Sequence, residues 1–130
     1  MDIITFLLVD DDPTSNMIAE FNIKKTVDQV EVKVFSRPEM ALDYIQNNTA
    51  YLKSLSEVYL LTDLNMPGMN GKQLLHRLYD NNPELARHLR IYILSAGEMS
   101  LTESDVQPLV QGSLLKPLNA TVIQEVLKTS

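Results

Sequence analysis

The sequence predicts an α/β domain, a doubly wound five-stranded parallel sheet with helices on both faces. Three observations carry this. Short apolar runs alternate with helix-like segments, the pattern of repeated βα units. Cap and turn signals such as Asp-Pro, Pro-Gly and Asn-Gly fall between the runs. The chain has 130 residues, 45% of them apolar, which suits one domain with its own core.

The first strand is read as Ile3 to Val9. Pro13 stands at a first helical position with Asp12 as its N-cap, and the helix runs to about Thr26. The second strand is Val30 to Phe35. Ser36-Arg37-Pro38-Glu39 has the form of a capping box. Met40, Leu42, Tyr44 and Ile45 supply the apolar positions of a helix that fades between Asn47 and Ala50. Strand three spans about Val58 to Thr62. Pro67-Gly68 and Asn70-Gly71 mark a tight loop after it. Helix three carries Leu74, Leu75 and Leu78 and ends near Pro83. Strand four is Ile91 to Leu94, with Tyr92 in the core. Gly112 leads into strand five, Ser113 to Leu115. Asn119 caps a fifth helix bearing Val122, Ile123, Val126 and Leu127. Pro108 breaks helix four, because a proline inside a helix removes a hydrogen bond and clashes with the preceding turn. That helix is expected to be short or kinked, starting close to Asp105. Residues 1–130 read as one unit, with nothing after the last helix to form an output domain.

Composition narrows the function. The net charge is −6, which argues against a nucleic-acid surface but not against a cation site. Without cysteine there are no disulfides and no thiolate metal sites. The apolar run at the N-terminus lacks a basic flank and is too short to span a membrane or act as a signal. A cytoplasmic protein with no membrane or nucleic-acid partner is expected.

In an open parallel sheet, ligands bind outside the carboxyl ends of the strands. Strand one ends in Asp10, Asp11 and Asp12, strand three in Asp63, strand four in Ser95, and strand five in Leu115 followed by Lys116. Two like charges about 4 Å apart repel by roughly 4 kcal/mol at an effective dielectric near 20, so clustered carboxylates call for a cation. Hard oxygen ligands suit Mg²⁺ better than Zn²⁺. An aspartate can act as a nucleophile and form an acyl phosphate. A metal, an ammonium and a hydroxyl are useful around a phosphoryl group in transfer. Asp12 is assigned to the helix cap. His76 and His88 lie in or beside helix three and are read as surface positions.

Four segments together resemble a known family. Phe6-Leu7-Leu8-Val9-Asp10-Asp11-Asp12-Pro13 is similar to the opening of bacterial two-component response-regulator receiver domains, the CheY-like family. Leu60 to Gly71 resembles the segment around that family's phosphorylated aspartate. Ile93-Leu94-Ser95-Ala96 and Leu115-Lys116-Pro117 resemble its hydroxyl and lysine motifs. The likeness runs from about Ile4 to Leu127. It implies a sheet of order 2-1-3-4-5 with five helices. It also implies that Asp63 is the phosphoacceptor, that Asp11 and Asp63 ligate Mg²⁺ by side chain, and that Asn65 does so by its backbone carbonyl. Asp10 would act through a metal-bound water. Ser95 would hydrogen-bond the phosphoryl group and Lys116 would pair with it. The Lys116–Pro117 bond would be cis, which X–Pro bonds allow at small cost. The implied partners are a sensor histidine kinase or histidine phosphotransfer protein and an output protein.

The sequence departs from that family at three places. Three residues before the lysine, where an aromatic side chain is usual, stands Ser113. Pro108 lies in the preceding helix, and Gly97 follows Ser95 by two residues. A relay through an aromatic ring is therefore not expected, and the response is expected in the Ser95–Ser100 loop and the broken helix four. Two rival functions would draw on similar residues. A magnesium phosphohydrolase with an aspartyl-phosphate intermediate would need a carboxylate two residues after Asp63, where Asn65 stands. A phosphate-independent docking module would have lost an acid, the acceptor or the lysine, and all are present.

Overall fold

The computed structural model describes residues 3–95 and 107–129. Its strands are β1 (Ile4–Val9), β2 (Val30–Phe35), β3 (Val58–Asp63), β4 (Arg90–Ser95) and β5 (Gly112–Leu115). They pair in parallel in the order β2-β1-β3-β4-β5. This is the order implied by the resemblance, and the sheet reverses direction of growth between β1 and β3.

The central strands read as continuous apolar runs because both sheet faces are covered. Successive side chains point to opposite faces. Leu7, Val9, Leu60, Ile91 and Ile93 pack on one side, while Phe6, Leu8, Tyr59, Leu61 and Tyr92 pack on the other. The second face is covered by α1 (Pro13–Thr26), through Ala19 and Ile23, and by the C-terminal helix, through Ile123 and Val126. The first face is covered by α2 (Pro38–Asn47), α3 (Thr49–Ser54), α4 (Gly71–Asn81) and α5 (Pro83–His88). The C-terminal helix is α6 (Ala120–Thr129).

Several local readings hold. Asp12 Oδ1 accepts from the N–H groups of Thr14 and Ser15, so Asp12 caps α1 with Pro13 in its first turn. Asn119 Oδ1 accepts from Val122 N–H at the start of α6. Gly68, with φ +79, follows Pro67 in the loop after β3, a position that favours glycine. Tyr92 is buried.

Other readings need correction. Among the described residues, α3 and α5 are two short helices that were not expected. Pro83 cannot continue α4, because its ring removes a backbone donor, but it suits the first turn of a new helix. The pair α3 and α5 is then tied together by Lys53–Glu84 at 2.9 Å and by Asn82 Nδ2 donating to Thr49 Oγ1 at 3.0 Å. The capping box at Ser36 does not form. Pro38 starts α2, which makes Arg37 the N-cap, and no side chain among the described residues caps that end. Met40 is 52% exposed, and the buried stripe of α2 is Ala41, Leu42 and Ile45. His76 and His88 are half-buried rather than on the surface. The His88 ring donates from Nε2 to the Leu55 carbonyl at 2.8 Å. Pro108 sits in a single 3-10 turn, Gln107–Leu109. Gly97, the start of helix four near Asp105, and all of the Ser95–Ser100 loop after Ser95 lie outside the described residues. Among the described residues, no helix is long and apolar enough to cross a membrane.

Candidate functional site

Parallel pairing brings all the strand ends to one edge of the sheet. Val9 is level with Thr62, Asp63 with Leu94, and Ser95 with Leu115. The residues that follow β1 and β5 or end β3 therefore meet there, though they are far apart in sequence. Asp10, Asp11 and Asp63 each place a carboxylate oxygen within 4.8 Å of the others. Lys116 reaches across from the β5 end. Its Nζ lies 2.7 Å from Asp10 Oδ2 and 3.2 Å from Asp63 Oδ2.

Each member is held by a different part of the fold. Asp10 is 1% exposed. Its N–H donates to the Phe35 carbonyl at 3.1 Å, and its Oδ1 accepts Asp12 N–H at 3.0 Å. Its carbonyl accepts from Asn16 Nδ2 of α1 at 2.7 Å. Asp63 Oδ1 accepts Asn65 N–H at 3.3 Å. Asp11 is exposed at the rim. Ser95, buried at the end of β4, accepts Lys116 N–H on its carbonyl at 2.7 Å. The Lys116–Pro117 peptide is cis.

The loop between β3 and α4 is closed at its base by Gly71 N–H donating to the Leu64 carbonyl at 2.9 Å. Asn70 and Gln73 form a reciprocal capping box at the start of α4, with distances of 2.8 and 2.9 Å. Met66 and Met69 anchor the loop in the core.

Burial pushes the Lys116 ammonium toward a lower pKa. The hydrogen bond and charge of Asp10, and then those of Asp63, outweigh burial and hold it above the ordinary lysine value. One ammonium beside three clustered carboxylates leaves negative charge uncompensated, which favours a further cation. The donor set is all hard oxygen, and Mg²⁺ with oxygens at about 2.1 Å spans about 4.2 Å between opposite ligands, close to the spacing here. The residues fit such an ion.

Access is open on both sides of the α1 N-terminus. A cleft of about 480 Å³ beside Asp11 is lined by Ser36, Arg37, Glu39, Met66, Pro67 and Gly68. A second, of about 380 Å³, lies between Thr14, Ser15 and Ile18 of α1 and Lys116–Pro117. A larger cleft of about 570 Å³ lies by Ile3, Lys24, Gln29 and Val30, where β1 and β2 begin. It is at the wrong end of the sheet and gathers no acid cluster, so strand polarity and not volume identifies the site.

All the residues expected at the site thus lie at this sheet edge. The Asp12 carboxylate caps α1 and, like the two histidines, is not part of the acid cluster, although Asp12 lines the cleft beside Lys116. Asn16 and Asn22 carry no role in the sequence reading, and Gly71 enters it only as a turn residue. Asn16 could have been given one, because it shares the spacing of the buried Ala19 and Ile23 on α1.

Comparison with known proteins gives concordant results. No curated protein matches the sequence. Among solved structures, a two-component response regulator from Cytophaga hutchinsonii is similar with a TM-score of 0.84 at 22% identity, over 99% of this chain and 97% of that one. The chemotaxis response regulator CheY4 of Vibrio cholerae is similar with a TM-score of 0.76 at 18% identity, over 98% of each chain. A two-component response regulator from Legionella pneumophila gives 0.77 at 21% identity, over 97% of this chain and 96% of that one. At such identities the likeness concerns the fold. The family model for the response regulator receiver domain matches residues 6–128, nearly the whole length, and on that match this chain belongs to the response regulator receiver domain family.

Proposed function

We propose that the chain accepts a phosphoryl group on Asp63 from a histidine kinase or a histidine phosphotransfer protein, and signals through a partner that binds the phosphorylated form. The observation that carries the reading is the Lys116 ammonium set between the Asp10 and Asp63 carboxylates at 2.7 and 3.2 Å. Asp63 Oδ2 faces Lys116 and Oδ1 faces Asn65 N–H, so the carboxylate is oriented at both oxygens. An oriented carboxylate needs little reorganisation before attack. In the transfer, an Asp63 oxygen bonds to phosphorus and the donor's P–N bond breaks. The electron pair stays on the imidazole nitrogen.

Asp10, Asp11 and Asp63, with the Asn65 carbonyl, would hold Mg²⁺, which when bound supplies charge neutralisation of the phosphoryl oxygens. Lys116 then has a new anion to pair with, since phosphorylation adds roughly −1.5 to −2 charge at Asp63. Ser95 lies one residue beyond the Asp63–Leu94 level and offers a hydroxyl from the neighbouring strand end. The reading assigns the chain no turnover of an external substrate, only its own phosphorylation and dephosphorylation. Asn65 supports this, because an amide cannot shuttle the protons a phosphohydrolase would need two residues after its nucleophile. A cytoplasmic location follows from the donors.

Acetyl phosphate with Mg²⁺ should add one phosphoryl group, seen by intact mass and lost in base as an acyl phosphate is. Asp63→Asn should abolish it. Undiminished labelling in that variant would move the acceptor elsewhere. Many equivalents of phosphate released per second would favour the hydrolase.

A further inference from the structure

The buried stripe of α1 is Asn16, Ala19 and Ile23, spaced i, i+3, i+7. An apolar residue would fit the first position as it does the other two. Asn16 is instead an amide only 6% exposed. A buried amide is costly unless hydrogen-bonded, so its presence there calls for a partner. That partner is the Asp10 carbonyl, 2.7 Å from Asn16 Nδ2.

The Asp10 carbonyl belongs to the peptide plane that joins Asp10 to Asp11. Fixing that plane fixes the direction in which the Asp11 side chain leaves relative to that of Asp10. Asp11 lies beyond the end of β1 and is exposed, so the sheet ladder does not orient it. Asp10 N–H to Phe35 and Asp10 Oδ1 to Asp12 N–H hold the flanking atoms. The Asn16 amide supplies the remaining restraint on the junction of the two acids.

A second amide on the same helix makes the same type of bond elsewhere. Asn22 Nδ2 donates to the Leu118 carbonyl at 2.6 Å, two residues after Lys116. It ties α1 to the loop behind the lysine and touches neither acid.

We infer that Asn16 is a positioning residue for the acidic pair: by holding the Asp10–Asp11 peptide plane it sets the affinity of the cluster for a divalent cation. The inference rests on reading the cluster as a Mg²⁺ site. Groups that orient metal ligands are commonly worth about 10- to 100-fold in affinity.

The test is calorimetric titration of the full chain with Mg²⁺, together with melting in Mg²⁺-free buffer. Asn16→Leu keeps the side-chain size and completes the apolar stripe. It should melt within a few degrees of wild type yet bind Mg²⁺ about tenfold more weakly. Asn22→Ala should bind Mg²⁺ within about twofold of wild type, whatever its melting temperature. Wild-type Mg²⁺ affinity in Asn16→Leu would overturn the inference. So would an equal loss in Asn22→Ala, which would make α1 docking in general the cause. Should Asn16→Leu not fold, Asn16→Ala replaces it, and loss of the fold in both would make Asn16 a purely structural residue. Absence of Mg²⁺ binding by the wild type would sink the site reading itself, an outcome distinct from the others.

Discussion

Gly71 has no room for a side chain. A Cβ built there would lie 2.2 Å from the carbonyl oxygen of Asp63 and 3.0 Å from Leu64 Cα. Ordinary carbon–oxygen contact begins near about 3.3 Å. Gly71→Ala must therefore separate the α4 N-terminus from the backbone of Asp63 by about 1 Å. Two effects oppose each other. Alanine favours helix over glycine by up to about 1 kcal/mol. Overpacking a tight site costs about 1–3 kcal/mol, and losing the Gly71 N–H to Leu64 carbonyl bond costs about 1 kcal/mol more. The atoms in conflict are backbone, not the end of a flexible side chain, so the cost should win. We expect a net loss of about 1–3 kcal/mol in urea unfolding. The displaced atoms carry the Asp63 carboxylate and the loop holding Asn65, and a shift near 1 Å can slow a reaction by about 10²-fold. Labelling by acetyl phosphate at saturating Mg²⁺, timed by intact mass, should fall by at least about tenfold. Leu78→Ala, which empties a core position of the same helix, serves as a comparison of similar or greater instability. Should Gly71→Ala label as fast as wild type, or be more stable than it, the backbone contact does not position the acceptor.

Two further outcomes follow from the same geometry. The Lys116 pKa is raised in the folded state, so its stabilising effect is fully present below the unfolded lysine pKa, about 10.4, and is lost as pH rises through the higher folded value. In Mg²⁺-free buffer, melting temperature should therefore fall more steeply above about pH 10 in wild type than in Lys116→Met; parallel curves would mean the ion pairs contribute nothing. The Thr5 hydroxyl in β1 is buried with no hydrogen-bond partner among the described residues. Thr5→Val should raise stability by about 1 kcal/mol, a few degrees of melting temperature, and a fall of that size would show that the hydroxyl has a partner such as a bound water.

Much of this protein could be read from local chemistry. Asp12 and Asn119 accept N–H groups two or three residues ahead, and Gly68 after Pro67 needs only its neighbours to form the turn. The strand runs are apolar because a parallel sheet is covered on both faces, and their spacing alone predicts where each strand ends. From those ends, the polarity of the sheet brings Asp10, Asp11, Asp63 and Lys116 to one edge.

What depended on the tertiary structure are contacts whose partners lie far apart in sequence or compete locally. Lys116 meets Asp10 across 106 residues and Asn22 meets Leu118 across 96, distances that only strand order closes. Ser36 and Arg37 were both in reach of the α2 cap, and the fixed φ of Pro38 decided for Arg37. The short helices α3 and α5 have too few residues to be stable alone and form because Thr49, Lys53 and Leu55 find Asn82, Glu84 and His88. Asn16 and Gly71 look like ordinary helix-start residues in the sequence. Their weight comes from what packs against them, the carbonyl of Asp10 in one case and that of Asp63 in the other, and no local pattern contains that information.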